Sequence, residues 1–257
     1  MIQRYFIQLS FRGTHYNWWQ KQLNAPSIQS AIESALAVLF KQPIDIVGAG
    51  RTDTGVHSKY YIAHFDAPNI IEDEVKFVFQ LNSILPFDIA IQEITKVGNE
   101  SHARFHAIAR TYEYFCHFRK DPFLTETSVL LKSKPNIALM NEACRLLLEY
   151  NDFTSFCKLH SDNKTNICRV NEAYWQLNGN KLVFKITADR FLRNMVRSIV
   201  GTMLQVGYEK ISIMEFRNVI ELKNRSKAGS SAPAHGLFLV DIKFPQEIYK
   251  YAVNSIH

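Results

Sequence analysis

Apolar and polar positions along this chain fall into short segments whose period switches repeatedly between that of a strand and that of a helix. Gln3 to Arg12 reads as a strand. Ser27 is placed to cap a helix running to Phe40, with Ile28, Ala31, Ile32, Ala35 and Leu39 on one face, and Pro43 bars its continuation. Ile44 to Val47 alternates as a strand does, and Tyr60 to Asp66 reads as another. A short helix is predicted over Ile71 to Leu81, with Glu72, Asp73 and Glu74 favourably near its N-terminus. Ile89 to Thr95 and Ile108 to Phe118 are further strands.

The second half repeats the mixture. Ile137 to Glu149 reads as a helix and Asn166 to Leu177 as a strand. Asn178-Gly179 is a hairpin signal before the next strand, Leu182 to Ala188. The best helix of this half runs from about Phe191 to Val206 and is closed by Gly207, with Met195, Val196, Ile199, Met203 and Leu204 as its apolar stripe. Arg190, Arg193 and Arg197 recur at spacings of three and four, so they share one side of that helix or its entry. A polar loop, Lys223 to Pro233, precedes a last strand over Leu237 to Phe244. The order of segments predicts an α/β (α+β) chain with substantial antiparallel sheet. A division near 115–135 separates an N-terminal domain, 1–120, from a C-terminal domain, 121–257.

Composition narrows the class. The 257 residues are 47% hydrophobic and 21% charged, as in a soluble globular protein. No apolar run approaches the ~18 residues of a membrane span, and Met1-Ile2-Gln3-Arg4 opens no signal-peptide core. Cys116, Cys144, Cys157 and Cys168 show neither a Cys-x-x-Cys pair nor zinc-ligand spacing, and read as reduced thiols of a cytoplasmic protein. No convincing metal cluster is offered. Charge is uneven: residues 1–128 carry 12 Lys or Arg against 13 Asp or Glu, and residues 129–257 carry 18 against 11. An excess concentrated in one half suggests a basic face for a polyanion, although solubility alone accounts for a charge of this size about as well.

The strongest chemical signal is Gly48-Ala49-Gly50-Arg51-Thr52-Asp53-Thr54-Gly55-Val56-His57, a strand running into a tight, glycine-rich loop. Arg51 can keep Asp53 ionised by charge attraction, and an ionised carboxylate can attack an electrophilic carbon. A dinucleotide fingerprint would need glycine at Asp53. A P-loop would need Lys and Ser or Thr at Val56 and His57. Asp53-Thr54-Gly55 also spells the tripeptide of aspartic proteases, which keeps a hydrolase open as a rival. That chemistry, however, needs one raised carboxylate pKa, and Arg51 pushes the other way.

The Gly48–His57 run resembles the signature around the catalytic aspartate of the TruA family of tRNA pseudouridine synthases. Weaker matches follow in order over nearly the whole chain: Gly13-Thr14 with Trp19-Gln20, Leu81-Asn82 with Leu85-Pro86 and Asp88-Ile89, and His102-Ala103-Arg104-Phe105. Beyond them lie Arg110-Thr111-Tyr112-Glu113-Tyr114, Asp152-Phe153-Thr154-Ser155-Phe156, Met195 to Gly201 and Gly236 to Val240. The resemblance implies a pseudouridine synthase fold of two α/β halves around a cleft, and a cofactor-free isomerase. Its substrate would be uridine in the anticodon stem-loop of tRNA, at positions 38, 39 and 40. It further implies a homodimer that binds tRNA across both subunits. By the same resemblance Asp53 is the nucleophile, Arg197 its ion-pair partner, Tyr112 the platform against the target base and Leu237 part of the pocket wall. Arg51 and Arg104 join the substrate-binding set.

Residue chemistry agrees with that implication. Moving uracil from an N- to a C-glycosidic bond changes neither oxidation state nor atom count, so the chemistry needs no cofactor. A paired base must leave the stack, which costs a few kcal/mol, and an aromatic such as Tyr112 can receive it. Arg190, Arg193, Lys223, Arg225 and Lys227 are the expected RNA-backbone contacts of the basic half. Four positions depart from the family pattern: Arg12 stands where an aspartate is usual, Trp18 where a glycine is, and Tyr60-Tyr61 where Gly-Gln is. His57 is expected to steady the loop rather than act as a base. A non-catalytic RNA-binding protein on the same fold is the alternative, but binding alone does not require a carboxylate facing anionic RNA.

Overall fold

The computed structural model describes residues 2–21, 25–158 and 164–249. The chain packs into two units: one holds residues up to Ile108 together with the stretch from Leu239, and the other holds Ala109–Phe238. The first contains β1 (Gln3–Phe11), α1 (Ile28–Phe40), β2 (Ile46–Gly48), β3 (His57–Ala67), α2 (Glu74–Ile84) and β4 (Ile89–Lys96). Its strands lie in the order β4-β1-β3, all antiparallel, with β2 paired to β3. Residues 239–243 rejoin it: the Ser58 hydroxyl donates to the Leu239 carbonyl at 3.1 Å, and the Ile108 N–H to the Lys243 carbonyl at 2.8 Å.

Local chemistry explains the element ends. Ser27 accepts from the Ser30 N–H and the Ser30 hydroxyl answers to the Ser27 backbone, so α1 begins where the sequence places it. α2 starts three residues later than expected, because the Asp73 carboxylate caps the Lys76 N–H at 2.8 Å and leaves Glu72 and Asp73 outside the helix. β3 is longer than predicted and begins at His57. Tyr5, Phe6, Ile7 and Leu9 of β1 are buried in succession, as are Tyr61, Ile62, Ala63 and Phe65 of β3; both faces of these strands are covered.

The second unit contains β5 (Ala109–His117), β6 (Val129–Leu130), α3 (Ile137–Glu149), β7 (Val170–Asn178), β8 (Lys181–Ala188), α4 (Met195–Gly207) and α5 (Ile213–Glu221). The last strand, β9 (Leu237–Lys243), begins in it. β7 and β8 form the predicted hairpin, with Gly179 at φ 61°, where an L side chain would be strained. β8 pairs in turn with β5, setting Tyr112 opposite Ile186. β7 starts at Val170 rather than near Asn166. α4 starts at Met195, four residues after the sequence expectation, because Asn194 sits at φ 65° and breaks the helical run. Arg190 and Arg193 therefore lie on the entry to α4, and Arg197 on the helix itself. α5 went unpredicted, although Ser212 and Glu215 form a full capping box at its start. The four cysteines are buried and unbridged, and burial pushes the thiols of Cys116 and Cys168 up to about 12. No helix among the described residues is long and apolar enough to cross a membrane.

Candidate active site

Asp53 sits in the connection between β2 and β3, the two strands that hold Val47 opposite His64. It is half-buried, between a buried Thr52 and an exposed Thr54, while Arg51 is exposed. The Val56 N–H returns to the Asp53 carbonyl at 3.1 Å, closing a turn that Gly55 completes at φ 76°. His57 is fully buried and its Nδ1 accepts from the Gly13 N–H at 3.1 Å, so the ring proton belongs on Nε2. A Cβ on Gly13 would stand 2.0 Å from the Val56 carbonyl oxygen, which shows how closely that turn packs against the loop. Thr54 Oγ1 donates to the Asn17 carbonyl at 3.1 Å.

The other end of the loop is braced by two aromatics. Tyr61, fully buried, directs its hydroxyl at the Gly50 backbone, donating to the carbonyl and accepting from the N–H at 3.3 Å. Its ring stacks on Trp19 at 4.0 Å, and both crowd Gly48 so closely that a Cβ there would fall within 2.3 Å of the Tyr61 hydroxyl. The sequence pointed to Tyr61 only as a departure from a family pattern; the structure makes it a support of the loop. Trp18, another departure, holds φ 155°, a conformation that glycine adopts freely and other residues rarely do.

Arg104 lies elsewhere in the first unit. The Ala103 N–H donates to His64 Nδ1 at 3.2 Å, which anchors the 101–106 turn seven residues, about 23 Å, along β3 from His57. The exposed Arg104 guanidinium lies over the Phe105 ring, 5.7 Å from its centroid. Burial first, then the charge of Arg4 and the neighbouring His102, holds His64 down to about 4.

In the second unit Tyr112 is half-buried on β5, its ring edge-on to Phe191 at 5.1 Å. That contact brings it beside the 189–194 segment carrying the half-buried Arg190 and the exposed Arg193. Arg197 Nε donates to the Ala232 carbonyl at 2.8 Å, and the Ala232 N–H returns to the Arg197 carbonyl at 2.9 Å. The polar loop is thereby held along α4. A Cβ on Gly201 would lie 1.9 Å from the Ser230 carbonyl oxygen, and the Gly229 N–H reaches Thr202 Oγ1 at 2.9 Å. The three loop cations differ in circumstance. Lys223 pairs with Asp152 at 2.9 Å, Arg225 braces the loop through Ala228, Gly229 and Ser231, and Lys227 is exposed. Leu237 is buried at the start of β9. Among the described residues no group of three or more His, Cys, Asp or Glu could hold a metal ion.

Comparison with known proteins gives these features a family. A family model described as tRNA pseudouridine synthase matches residues 143–245, which lie beyond the Asp53 loop. Whole-length relatives include it. The tRNA pseudouridine synthase A of Parabacteroides distasonis is 51% identical over 248 residues, covering 96% of this chain and 98% of the relative. Its counterpart in Porphyromonas gingivalis is 48% identical over 96% of this chain and all of the relative, and that of Clostridium acetobutylicum is 38% identical over 93% and 98%. At such identity over such coverage, with a mixed α/β fold and largely antiparallel strands, the chain belongs to the tRNA pseudouridine synthase A family of isomerases.

Proposed function

We propose that this protein converts uridine to pseudouridine in the anticodon stem-loop of tRNA, at positions 38, 39 and 40, with Asp53 as the nucleophile. The reading is carried by a half-buried carboxylate on a loop fixed at both ends, by His57 and Gly13 on one side and by Tyr61 and Trp19 on the other. A reacting group gains rate from being held in place beforehand. In the reaction the C1′–N1 bond breaks and a C1′–C5 bond forms, while C5 loses its proton and N1 gains one. Nothing is oxidised, so the chemistry requires no cofactor. Asp53 serves as a temporary covalent partner while uracil turns over.

Arg197 is proposed to pair with that carboxylate and position it, Tyr112 to face the extruded base and Leu237 to wall its pocket. Arg51 and Arg104 would meet the substrate directly. Arg190, Arg193 and Lys227 would bind phosphates, as would Lys223 once drawn from Asp152; Arg225 is needed first for the shape of its own loop. The site is proposed to work in a cytoplasmic homodimer, the enzyme's tRNA spanning both subunits.

Incubation with unmodified tRNA, followed by mass-spectrometric mapping of pseudouridine, tests the proposal. Asp53→Asn keeps the shape of the side chain and removes its charge. That variant should bind tRNA while turnover disappears. Multiple-turnover pseudouridylation by a verified Asp53→Asn protein would falsify the assignment.

A further inference from the structure

Where β1 ends and β3 and β4 begin, the first unit holds a shallow hollow, open to solvent, of about 320 Å³. Ser10, Ser58, Lys59, Phe87 and Asp88 are among the residues that line it. Phe87 is 92% exposed, the most exposed large apolar side chain among the described residues. Its backbone is nonetheless fixed. The Ile89 N–H closes a turn onto the Pro86 carbonyl at 3.0 Å, and the Arg12 N–H donates to the Asp88 carbonyl at 2.9 Å. The Tyr16 hydroxyl donates to Asp88 Oδ1 at 2.7 Å. A solvated aromatic on a fixed backbone at the edge of this hollow offers its ring face to a flat partner.

The chemistry around it selects the partner. Lys59 places an exposed cation on this lining, suited to phosphate, and Asp88 is the one carboxylate of the lining, suited to the N–H groups of a base edge. Ser58 lies only five residues beyond Asp53, at most about 17 Å along an extended chain, and the turn closed by Val56 shortens the path. We propose that this hollow is a second nucleotide subsite, which receives an unpaired nucleotide neighbouring the target uridine with its base stacked on Phe87 and its phosphate on Lys59. The proposal rests on the reading of the protein as a tRNA-modifying enzyme. Such a subsite would hold the loop of the RNA open while the target base is out of the stack, and it would select substrates by which bases flank the target.

The experiment compares wild type, Phe87→Ala and Phe87→Tyr for affinity to one unmodified tRNA. In parallel, tRNA bearing 5-iodouridine is photo-cross-linked to the wild type and the linked peptide identified. Loss of one base–aromatic stack weakens binding roughly 5- to 150-fold, so Phe87→Ala should fall in that window while Phe87→Tyr stays near wild type. The cross-link should map to the peptide containing Phe87. Wild-type affinity in Phe87→Ala, an equal loss in Phe87→Tyr, or a cross-link confined to other peptides overturns the subsite. Pseudouridine formation by the wild type, scored on the same tRNA, separates the two ideas. Absent modification with a Phe87-dependent affinity sinks the reading of function and leaves the subsite standing, whereas modification with a Phe87-independent affinity does the reverse.

Discussion

Removing one oxygen from the chain should loosen the Asp53 loop without disturbing the core. Tyr61→Phe leaves the ring stacked on Trp19 at 4.0 Å and its volume unchanged, and deletes only the hydroxyl that bridges the Gly50 carbonyl and N–H. A net contribution of about 0.5–1.5 kcal/mol per ordinary hydrogen bond sets the scale. The contact to the N–H is long at 3.3 Å and Gly50 is half-buried, so water can replace part of what is lost. A destabilisation of about 1–2 kcal/mol follows, or roughly 3–6 °C in Tm for a chain of this size. The larger effect should fall on chemistry. Gly50 precedes Asp53 by three residues, and a displacement of about 1 Å at a reacting group can cost on the order of 100-fold. Single-turnover pseudouridine formation at saturating tRNA should therefore drop at least ~10-fold, with tRNA affinity changed far less. Paired thermal melts and single-turnover assays of Tyr61→Phe test this. A variant that melts with the wild type and turns over at its rate would show that the loop is positioned by its other end alone.

Two further outcomes are expected. Arg197→Lys forfeits both the planar fork proposed to hold Asp53 and the Nε contact to the Ala232 carbonyl, so turnover should fall at least ~10-fold, equivalent to about 1.4 kcal/mol of barrier, with affinity much less affected; full turnover with lost affinity would move Arg197 to the phosphate-binding set. His64, held near 4 in the folded protein against 6.5 when unfolded, contributes stability that is fully present above pH 6.5 and lost as pH falls through 4; the gap corresponds to about 3 kcal/mol at most. Urea titrations at pH 7, 5.5 and 4 should show that decline and a flatter one in His64→Gln, and parallel declines in both proteins would assign it to other groups.

What the sequence determined by itself was local. Ser27 set the start of α1, Asn178-Gly179 made the β7–β8 hairpin, and Gly55 beside Asp53 marked the tight turn that carries this carboxylate. These signals act over four residues or fewer, the reach of a cap, a turn or a helical period, so they survive in one dimension. The same kind of signal was present at Ser212 and Glu215, where α5 begins, and could have been read there.

Tertiary packing decided the rest, because it chooses partners by distance in space. Tyr61 meets Gly50 from eleven residues away, Gly13 meets His57 from forty-four, and Arg197 meets Ala232 from thirty-five. Composition counted Lys223, Arg225 and Lys227 as one basic patch. Only the fold gave Lys223 a carboxylate and Arg225 three acceptors in its own loop, leaving Lys227 exposed to solvent. Charge is additive along a sequence, whereas its availability to RNA depends on which acceptors the folded chain has already placed within hydrogen-bonding reach.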